Sequence, residues 1–464
     1  MMNPFLRRID QWRLLLETGA VPGMAVPGLI YADDYIESLL EGEDVLSQVA
    51  NVACLPGIVG YSMAMPDIHQ GYGFPIGGVA AFDVSEGVIS PGGVGYDISC
   101  GVRLLASKIP ADEFRPLADR VLAALFSAVP CGVGSVKDSL GVKELDRILE
   151  EGAVRIVRSG RGTEGDVRYI EEGGCLEGAL PSAVSARAKE RGKGQLGTLG
   201  SGNHFIEVQE TEELFLPDRA ATMGLSGGCV TVMIHCGSRG LGHQVCDDYL
   251  KVMRGAMTKY RIAVPDRQLC CAPVDSPEGR QYLGAMKAAA NFAAANRQAI
   301  AEAVRGVFAR FFPGEKLITV YDVSHNLASI ENHVWEGKKR QLCVHRKGAT
   351  RAFDGLPVLI PGSMGTASYV LEGTPGAERE TFGSACHGAG RVLGRNEAIR
   401  RTSGRNIPKE LSAKGISVMA EKAGTLGEEA PEAYKDVSAV VEVVHGAGLA
   451  RKVARLRPLA VMKG

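Results

Sequence analysis

Three short apolar runs in this chain have a histidine at or just beyond one end. The runs at 205–208, 229–233 and 317–320 each predict a β-strand, and the histidines are His204, His235 and His325. A fourth apolar run starts right after Cys100, and a fifth covers 358–360. The clearest helical stripe spans 281–311, where Leu283, Met286, Ala290, Ala293, Ile300, Val304 and Phe308 fall on one face beside Asn291, Asn296 and Arg297. A second helix is expected over 112–127. At the N-terminus, Ile9, Trp12, Leu14 and Leu15 approximate a helical period, which predicts a helical lead-in within 1–50 and a further helix over 32–50. The glycines, prolines and aromatics of 65–78 predict a rigid buried loop within 54–82. Residues 108–193, polar and broken by glycines, look like a peripheral excursion. Arg391, Arg395, Arg400, Arg401 and Arg405 are expected on a helix and the loop after it, and the apolar 437–445 before a basic helix or turn. No repeat or linker divides the chain, so 1–464 reads as a single domain.

Composition narrows the classes. Hydrophobic residues at 45% and charged residues at 23% are those of a globular protein with a sizeable core. With 52 basic and 53 acidic residues, an anionic partner has to be met by a local patch. The 11 cysteines are odd in number and lack a CxxC pair, which argues for reduced thiols. No apolar run reaches membrane-spanning length and the N-terminus has no hydrophobic signal core, so a cytoplasmic protein is expected.

Two kinds of chemistry recur. In Pro-Gly-Gly-Val-Gly-Tyr-Asp-Ile-Ser-Cys (91–100), a Gly-rich bend brings the Asp97 carboxylate and the Cys100 thiol onto one short turn. Taken alone, this reads as a turn aspartate and a buried cysteine. With His204, His235 and His325 it becomes a set of five candidate ligands from four segments, suited to Mn, Fe, Co or Zn. Five donors exceed the needs of one tetrahedral ion, and a thiolate bridging two ions would suit phosphoryl displacement. The second kind is phosphate binding. Gly-rich loops at 200–203, 361–367 and 388–390 accompany Arg239, Arg351 and Arg391, and none of the loops is a Walker A motif. His69 reads more readily as a residue that orients its neighbours than as a ligand or base.

Several segments carry a resemblance: Gly-Val-Gly-Tyr-Asp-Ile-Ser-Cys-Gly-Val-Arg (93–103), Gly-Ser-Gly-Asn-His-Phe-Ile-Glu (200–207), His-Cys-Gly-Ser-Arg-Gly-Leu-Gly-His (235–243) and Asp-Val-Ser-His-Asn (322–326). They continue with His-Arg-Lys-Gly-Ala-Thr-Arg (345–351), Pro-Gly-Ser-Met-Gly-Thr-Ala-Ser-Tyr (361–369), Cys-His-Gly-Ala-Gly-Arg (386–391) and the tail Val461-Met462-Lys463-Gly464. In this collinear order the chain resembles the RtcB-type RNA-splicing ligases.

The resemblance implies a GTP- and Mn²⁺-dependent ligase that joins RNA 2′,3′-cyclic-phosphate or 3′-phosphate ends to 5′-hydroxyl ends. Cys100 would bridge two Mn²⁺ ions, with Asp97 and His204 completing one site and His235 and His325 the other. His387 would be the nucleophile that becomes guanylylated. The guanylate site would be lined by Asn203, His204, Phe205, Ile206, Glu207, His325, Asn326, Pro361, Gly362, Ser363, Met364, Ser368, His387, Gly388, Ala389, Gly390, Tyr434 and Lys463. Tyr434 would stack on the base and Arg239 would hold an RNA phosphate. Partners implied are RNA (tRNA halves or cleaved ends) and an archease-like activator. The expected fold is α+β, with mixed or antiparallel sheets whose strand ends converge on one deep site and helices outside. Cys236 stands where the family pattern has a hydroxyl, and Ser99 where it often has Asn, which leaves metal preference open. The alternatives are a two-metal phosphatase or cyclic phosphodiesterase, and a non-catalytic RNA- or metal-binding protein.

Overall fold

The computed structural model describes residues 4–40 and 44–464. These form an α+β architecture of two large, mainly antiparallel sheets. The first runs in the order Leu6–Asp10, Arg13–Leu16, Gly28–Tyr31, Ile58–His69, Ile76–Asp83, Lys338–Lys347, Asn326–Trp335. The second runs Ile318–Ser324, Gly101–Pro110, Cys229–Cys236, Phe205–Leu214, Ala450–Lys463, Ser368–Gly373, Pro357–Ile360, with Ser417–Ala420 joining Ala450–Lys463 in parallel. A small ladder pairs Ala349–Arg351 with Ser384–Cys386.

The helix Pro277–Phe311 ties the sheets together. Ser276 caps it by accepting from Gly279 N–H (3.0 Å), and Pro277 supplies a first-turn residue that needs no donor. Its many alanines allow neighbours to approach on every side. The first half packs Tyr282, Met286 and Phe292 toward Leu327 and Cys343 of the first sheet. The second half packs Ile300, Val304 and Phe308 against Ile206, Val232 and Ile234 of the second. Leu145, Ile148, Leu149 and Ile156, from the helices Val142–Glu151 and Ala153–Arg158, join the first of these clusters.

Register explains where the site lies. Gly101 pairs with both Cys236 and Ser324, and Phe205 pairs with His235. Antiparallel pairing therefore puts two strand beginnings and two strand ends at one sheet edge. The first sheet presents a matching edge, where His69 pairs with Ile76 and Lys347 with both Gly78 and Asn326. The candidate site sits between these edges.

Beneath it, Asp322 is fully buried between two buried arginines. Arg103 Nε donates to Asp322 Oδ2 at 2.7 Å and Arg297 Nε to Oδ1 at 2.9 Å. Arg297 Nη1 also donates to Ser99 O (2.7 Å) and Cys236 O (3.0 Å), the carbonyls beside Cys100 and His235. Burial raises the Asp322 pKa, but the charges of Arg297 and Arg103 outweigh it and hold the carboxyl below its ordinary value. Arg297→Met is expected to cost about 3 kcal/mol in urea unfolding, because it removes a partner from a buried ion network. The stabilisation that comes from this lowered carboxyl is present above the unfolded value of about pH 4 and is lost as pH falls through the lower folded value. Unfolding midpoints measured from pH 7 down to pH 3 check this.

Several expected elements fold differently. The N-terminal lead-in is three strands and not a helix, because Leu14 and Leu16 are buried on alternation while Ile9 is 47% exposed. The 32–50 helix is two helices, Asp34–Ser38 and Val45–Val52; residues 41–43 of that expectation lie outside the described residues. Residues 54–82 are mostly a hairpin, Ile58–His69 with Ile76–Asp83, and only its connection is a Gly-Pro loop. The basic helix or turn expected after 437–445 is the strand Ala450–Lys463, while Val437–Gly446 is helical. Arg451, Arg455 and Arg457 on that strand meet Glu372, Glu212 and Glu210 across the sheet. No helix among the described residues is long and apolar enough to cross a membrane.

Candidate active site

The cleft between the two edges has a volume of about 570 Å³, within the range of small-molecule sites. At its base, Asp97, Cys100, His204, His235 and His325 come together. Cys100 Sγ lies 3.5 Å from His204 Nε2 and 3.3 Å from His235 Nε2. Asp97 Oδ2 is 2.8 Å from His204 Nε2, and His235 Nε2 is 3.3 Å from His325 Nε2. Two groups, Asp97–Cys100–His204 and Cys100–His235–His325, each have all donor atoms within 4.8 Å of one another, and they share Cys100. Carboxylate, thiol and imidazole suit a divalent transition metal, and either group could hold one.

The backbone sets these positions. Cys100 O accepts from His325 N–H (2.8 Å), and Asn326 O accepts from Ser99 N–H (2.7 Å). Asn326 Nδ2 also donates to Asp97 O (3.1 Å). His204 Nδ1 donates to Leu199 O (2.8 Å), which turns its Nε2 toward Asp97 and Cys100. Asn296, fully buried on the long helix, accepts from Gly197 N–H (2.6 Å) and donates to Thr198 O (3.1 Å) and the Cys236 sulfur (3.2 Å). Cys236 Sγ points to Leu199 O (2.9 Å) and lies 3.8 Å from His204 Nδ1, behind the ring and away from Nε2.

Electrostatics follow from burial. Burial pushes the Cys100 thiol up to about 12, with the Asp97 charge adding to the shift, so its thiolate needs nearby positive charge. Burial also raises Asp97, but the His204 hydrogen bond and charge override this and hold it at about 2. His235 and His325 are held well below the ordinary imidazole value, first by burial and then by neighbouring imidazoles. They are therefore neutral, the state in which an imidazole can donate a lone pair.

His387 enters from the Ala349–Arg351/Ser384–Cys386 ladder, its ring centroid 4.7 Å from that of His325. Asp67 Oδ2 accepts from His387 Nδ1 (2.6 Å), His387 N–H (2.9 Å) and Gly388 N–H (3.2 Å). Nδ1 therefore carries a proton, and Nε2 is the ring nitrogen turned away from Asp67. Gly390 is required by geometry: its φ is +73°, and a Cβ there would overlap the Asp67 carbonyl oxygen. Lys435 Nζ donates to Pro66 O (3.0 Å) and Ile68 O (2.5 Å), fixing the segment on either side of Asp67.

The family model described as tRNA-splicing ligase RtcB matches residues 48–464. The chain belongs to that family. It is 52% identical over 481 aligned residues to the "tRNA-splicing ligase RtcB" of Archaeoglobus fulgidus, covering all of both chains. To the protein of the same name from Thermococcus kodakarensis it is 53% identical, covering 95% of each. To the "RNA-splicing ligase RtcB" of Mycobacterium tuberculosis it is 53% identical, covering 90% of this chain and 100% of that one. As a member of the RtcB family it is an RNA-ligase-type enzyme.

Most residues expected at the RtcB-type site line the cleft: Asp97, Asn203, Phe205, His235, His325, Asn326, Pro361 to Met364, His387 to Gly390, Tyr434 and Lys463. Others stand behind the wall. Glu207 is 2% exposed beside Gln209, and burial pushes its carboxyl up to about 8 against the lowering effects of Gln209 and Lys463. Ser368 Oγ accepts from Gly362 N–H (3.1 Å) and from Gln209 Nε2 (2.9 Å), shaping the 361–364 loop. The Ile206 side chain packs in the core, away from the cleft. Arg239 reaches Thr198 Oγ1 (3.2 Å), Gly132 O (3.1 Å) and Ser135 Oγ (3.1 Å) beside the 200–203 loop. Arg351 is not free for phosphate, since Glu171, Glu172 and Glu331 surround its guanidinium.

His69 donates from Nδ1 to Asp67 O (2.9 Å) and lines the cleft. Burial holds its ring near 3, a neutral group that orients the segment. Asp67 itself is not evident from sequence. Its signal is an acidic residue between Pro66 and Ile68 in an otherwise apolar stretch, a position that burial leaves it no reason to occupy without a partner. Glu429, buried against Arg391 (3.1 Å), Lys463 (3.5 Å) and the Tyr434 hydroxyl, is equally hidden and lies in a segment without a periodic pattern. Lys347, with Nζ on Tyr72 O (2.5 Å) and Phe74 O (3.0 Å), is a third addition; burial brings its amine down to about 7.

Proposed function

We propose that this protein is a GTP-dependent RNA 3′-phosphate/5′-hydroxyl ligase, the whole chain 1–464 acting as one cytoplasmic unit. One observation carries the reading. The His387 ring, held by Asp67 at Nδ1, lies in a nucleotide-sized cleft directly beside two donor groups that share Cys100. Asp97, Cys100, His204, His235 and His325 would hold two Mn²⁺ ions. When bound, these supply charge neutralisation for a triphosphate and for the phosphoryl groups under attack.

The chain's own residues account for the rest. Asp67 holds the His387 proton at Nδ1, so Nε2 can attack the α-phosphorus of GTP; an N–P bond forms and pyrophosphate leaves. The amides of Ala389, Gly390 and Met364 would approach phosphate oxygens, those of Gly388, Gly362 and Ser363 being donated to Asp67, Ser368 and Thr366. Tyr434, on the cleft wall, would cover the base, and Glu207, behind the wall beside Gln209, would have to be reached for it to accept from guanine N–H groups. The N–P bond then breaks as an RNA 3′-phosphate oxygen takes the guanylyl group. The 5′-hydroxyl oxygen of the second RNA attacks the 3′-phosphorus and GMP leaves. A 2′,3′-cyclic end is first opened by water to the 3′-phosphate. tRNA halves or damaged fragments are the substrates, and an archease-like activator is a proposed partner.

The test is intact-protein mass spectrometry after incubation with GTP and Mn²⁺. The expected species carries one added guanylate, removed by acid and retained in alkali. Phosphate release from RNA with no adduct would support a two-metal phosphatase instead. Asp67→Asn leaves the fold but loses control of the tautomer, and it should slow adduct formation by on the order of 10²-fold or more, as with other carboxylates that orient a catalytic histidine. Single-turnover adduct kinetics measure this.

A further inference from the structure

Away from the cleft, the helix Arg239–Tyr260 ends in a left-handed residue, Arg261 (φ +55°), and the chain doubles back into the short turn Arg267–Leu269. This reversal puts Arg254, Arg261 and Arg267 around a second open cavity of about 680 Å³, with Met257, Ile262 and Ala263 between them. All three arginines are exposed, and among the described residues none has a carboxylate within salt-bridge distance. The neighbouring Lys259 is taken by Glu278 (2.9 Å). The nearby Asp266 is engaged in capping, accepting from Gln268 N–H at 2.8 Å. In a chain with a net charge of −1, this is a concentrated local surplus.

The groove is linked to the cleft in two ways. Gln268 Oε1 accepts from Gly73 N–H (2.8 Å), joining the Arg267–Leu269 turn to the loop that also carries Tyr72. Beside the start of the helix, the exposed ring of His243 and the half-buried rings of Tyr96 and Tyr72 form a run, His243 4.7 Å from Tyr96 and Tyr96 5.7 Å from Tyr72. Both tyrosines line the cleft. From His243 to Arg254 the helix rises roughly 16 Å, about five nucleotides at stacked spacing. Aromatic faces followed by unpaired guanidinium forks are what a single RNA strand uses, the first for bases and the second for phosphates.

We propose that Arg254, Arg261 and Arg267 form a backbone-phosphate subsite for the RNA strand, several nucleotides from the joined end and reached along Tyr72, Tyr96 and His243. The proposal rests on the RNA-ligase reading and adds a place where the body of the substrate is held. Arg254→Gln/Arg261→Gln/Arg267→Gln should keep wild-type guanylylation with GTP and wild-type joining of an RNA of about four nucleotides. Its binding to a single strand of about sixteen nucleotides should weaken by about tenfold or more at low salt. The slope of log affinity against log salt should fall by roughly 2, since each phosphate that an arginine no longer neutralises removes about 0.7. An unchanged slope for the long strand overturns the proposal and points the arginines toward a protein partner, and so does an equal loss for short and long strands. Failure of the RNA-ligase reading would look different: wild type would join neither RNA.

Discussion

His387→Ala will eliminate both the guanylate adduct and RNA joining while leaving the fold and the metal content unchanged. Removing a covalent nucleophile costs on the order of 10⁶-fold in a well-studied hydrolase, so no product above background is expected. The structure makes this a clean substitution. The ring contributes one hydrogen bond to Asp67, while Asp67 Oδ2 keeps its backbone donors from His387 N–H and Gly388 N–H. His325, the nearest imidazole, belongs to the Cys100–His235–His325 group and cannot take over both tasks. A variant that still becomes guanylylated would move the nucleophile elsewhere. Metal content by elemental analysis, together with intact mass and gel-based ligation, separates loss of the nucleophile from loss of the site.

The second large effect is at Cys100. Both donor groups include its sulfur, so Cys100→Ala should weaken metal binding at two positions at once. Partners one shell outside a metal already cost about 10- to 100-fold when removed; a ligand shared by two ions should exceed that range in metal affinity and take ligation with it. Burial pushes this thiol up to about 12, so in the metal-free protein it stays protonated and unreactive near neutrality. Metal loading should therefore release a proton, and affinity for Mn²⁺ should rise with pH. Cys236→Ser offers the contrasting case. Its sulfur points at Leu199 O from behind His204, so a hydroxyl can replace it with little change in ligation.

Much of the site was legible because its signals are local. A histidine at the end of an apolar run, a Gly-rich bend before Asp97, and Cys-His-Gly-Ala-Gly each fit within a few residues, and antiparallel register brings them together. What escaped was non-local. Asp67 becomes meaningful only opposite His387, which follows it by 320 positions. Glu429 gains its partners through Arg391 and Lys463, and Arg351 loses its apparent availability to three glutamates from other segments. The strand Ala450–Lys463 reads as a basic helix or turn because its arginines are matched across the sheet by Glu210, Glu212 and Glu372, which lie far off in sequence. At the N-terminus, Leu14 and Leu15 together mimic a helical period, whereas only Leu14 and Leu16 are fully buried. Strand order depends on pairings between distant segments, which no local pattern encodes.

In the proposed site, the Cys100 sulfur joins two cation sites beside the imidazole that takes up guanylate. Anomalous diffraction at the manganese edge, from crystals of the protein grown with Mn²⁺ and GTP, tests it most directly. Two peaks are expected to flank Cys100, one against Asp97 and His204 and the other against His235 and His325, with guanylate density continuous with His387. A single peak remote from Cys100, or no peak at saturating Mn²⁺, would contradict it.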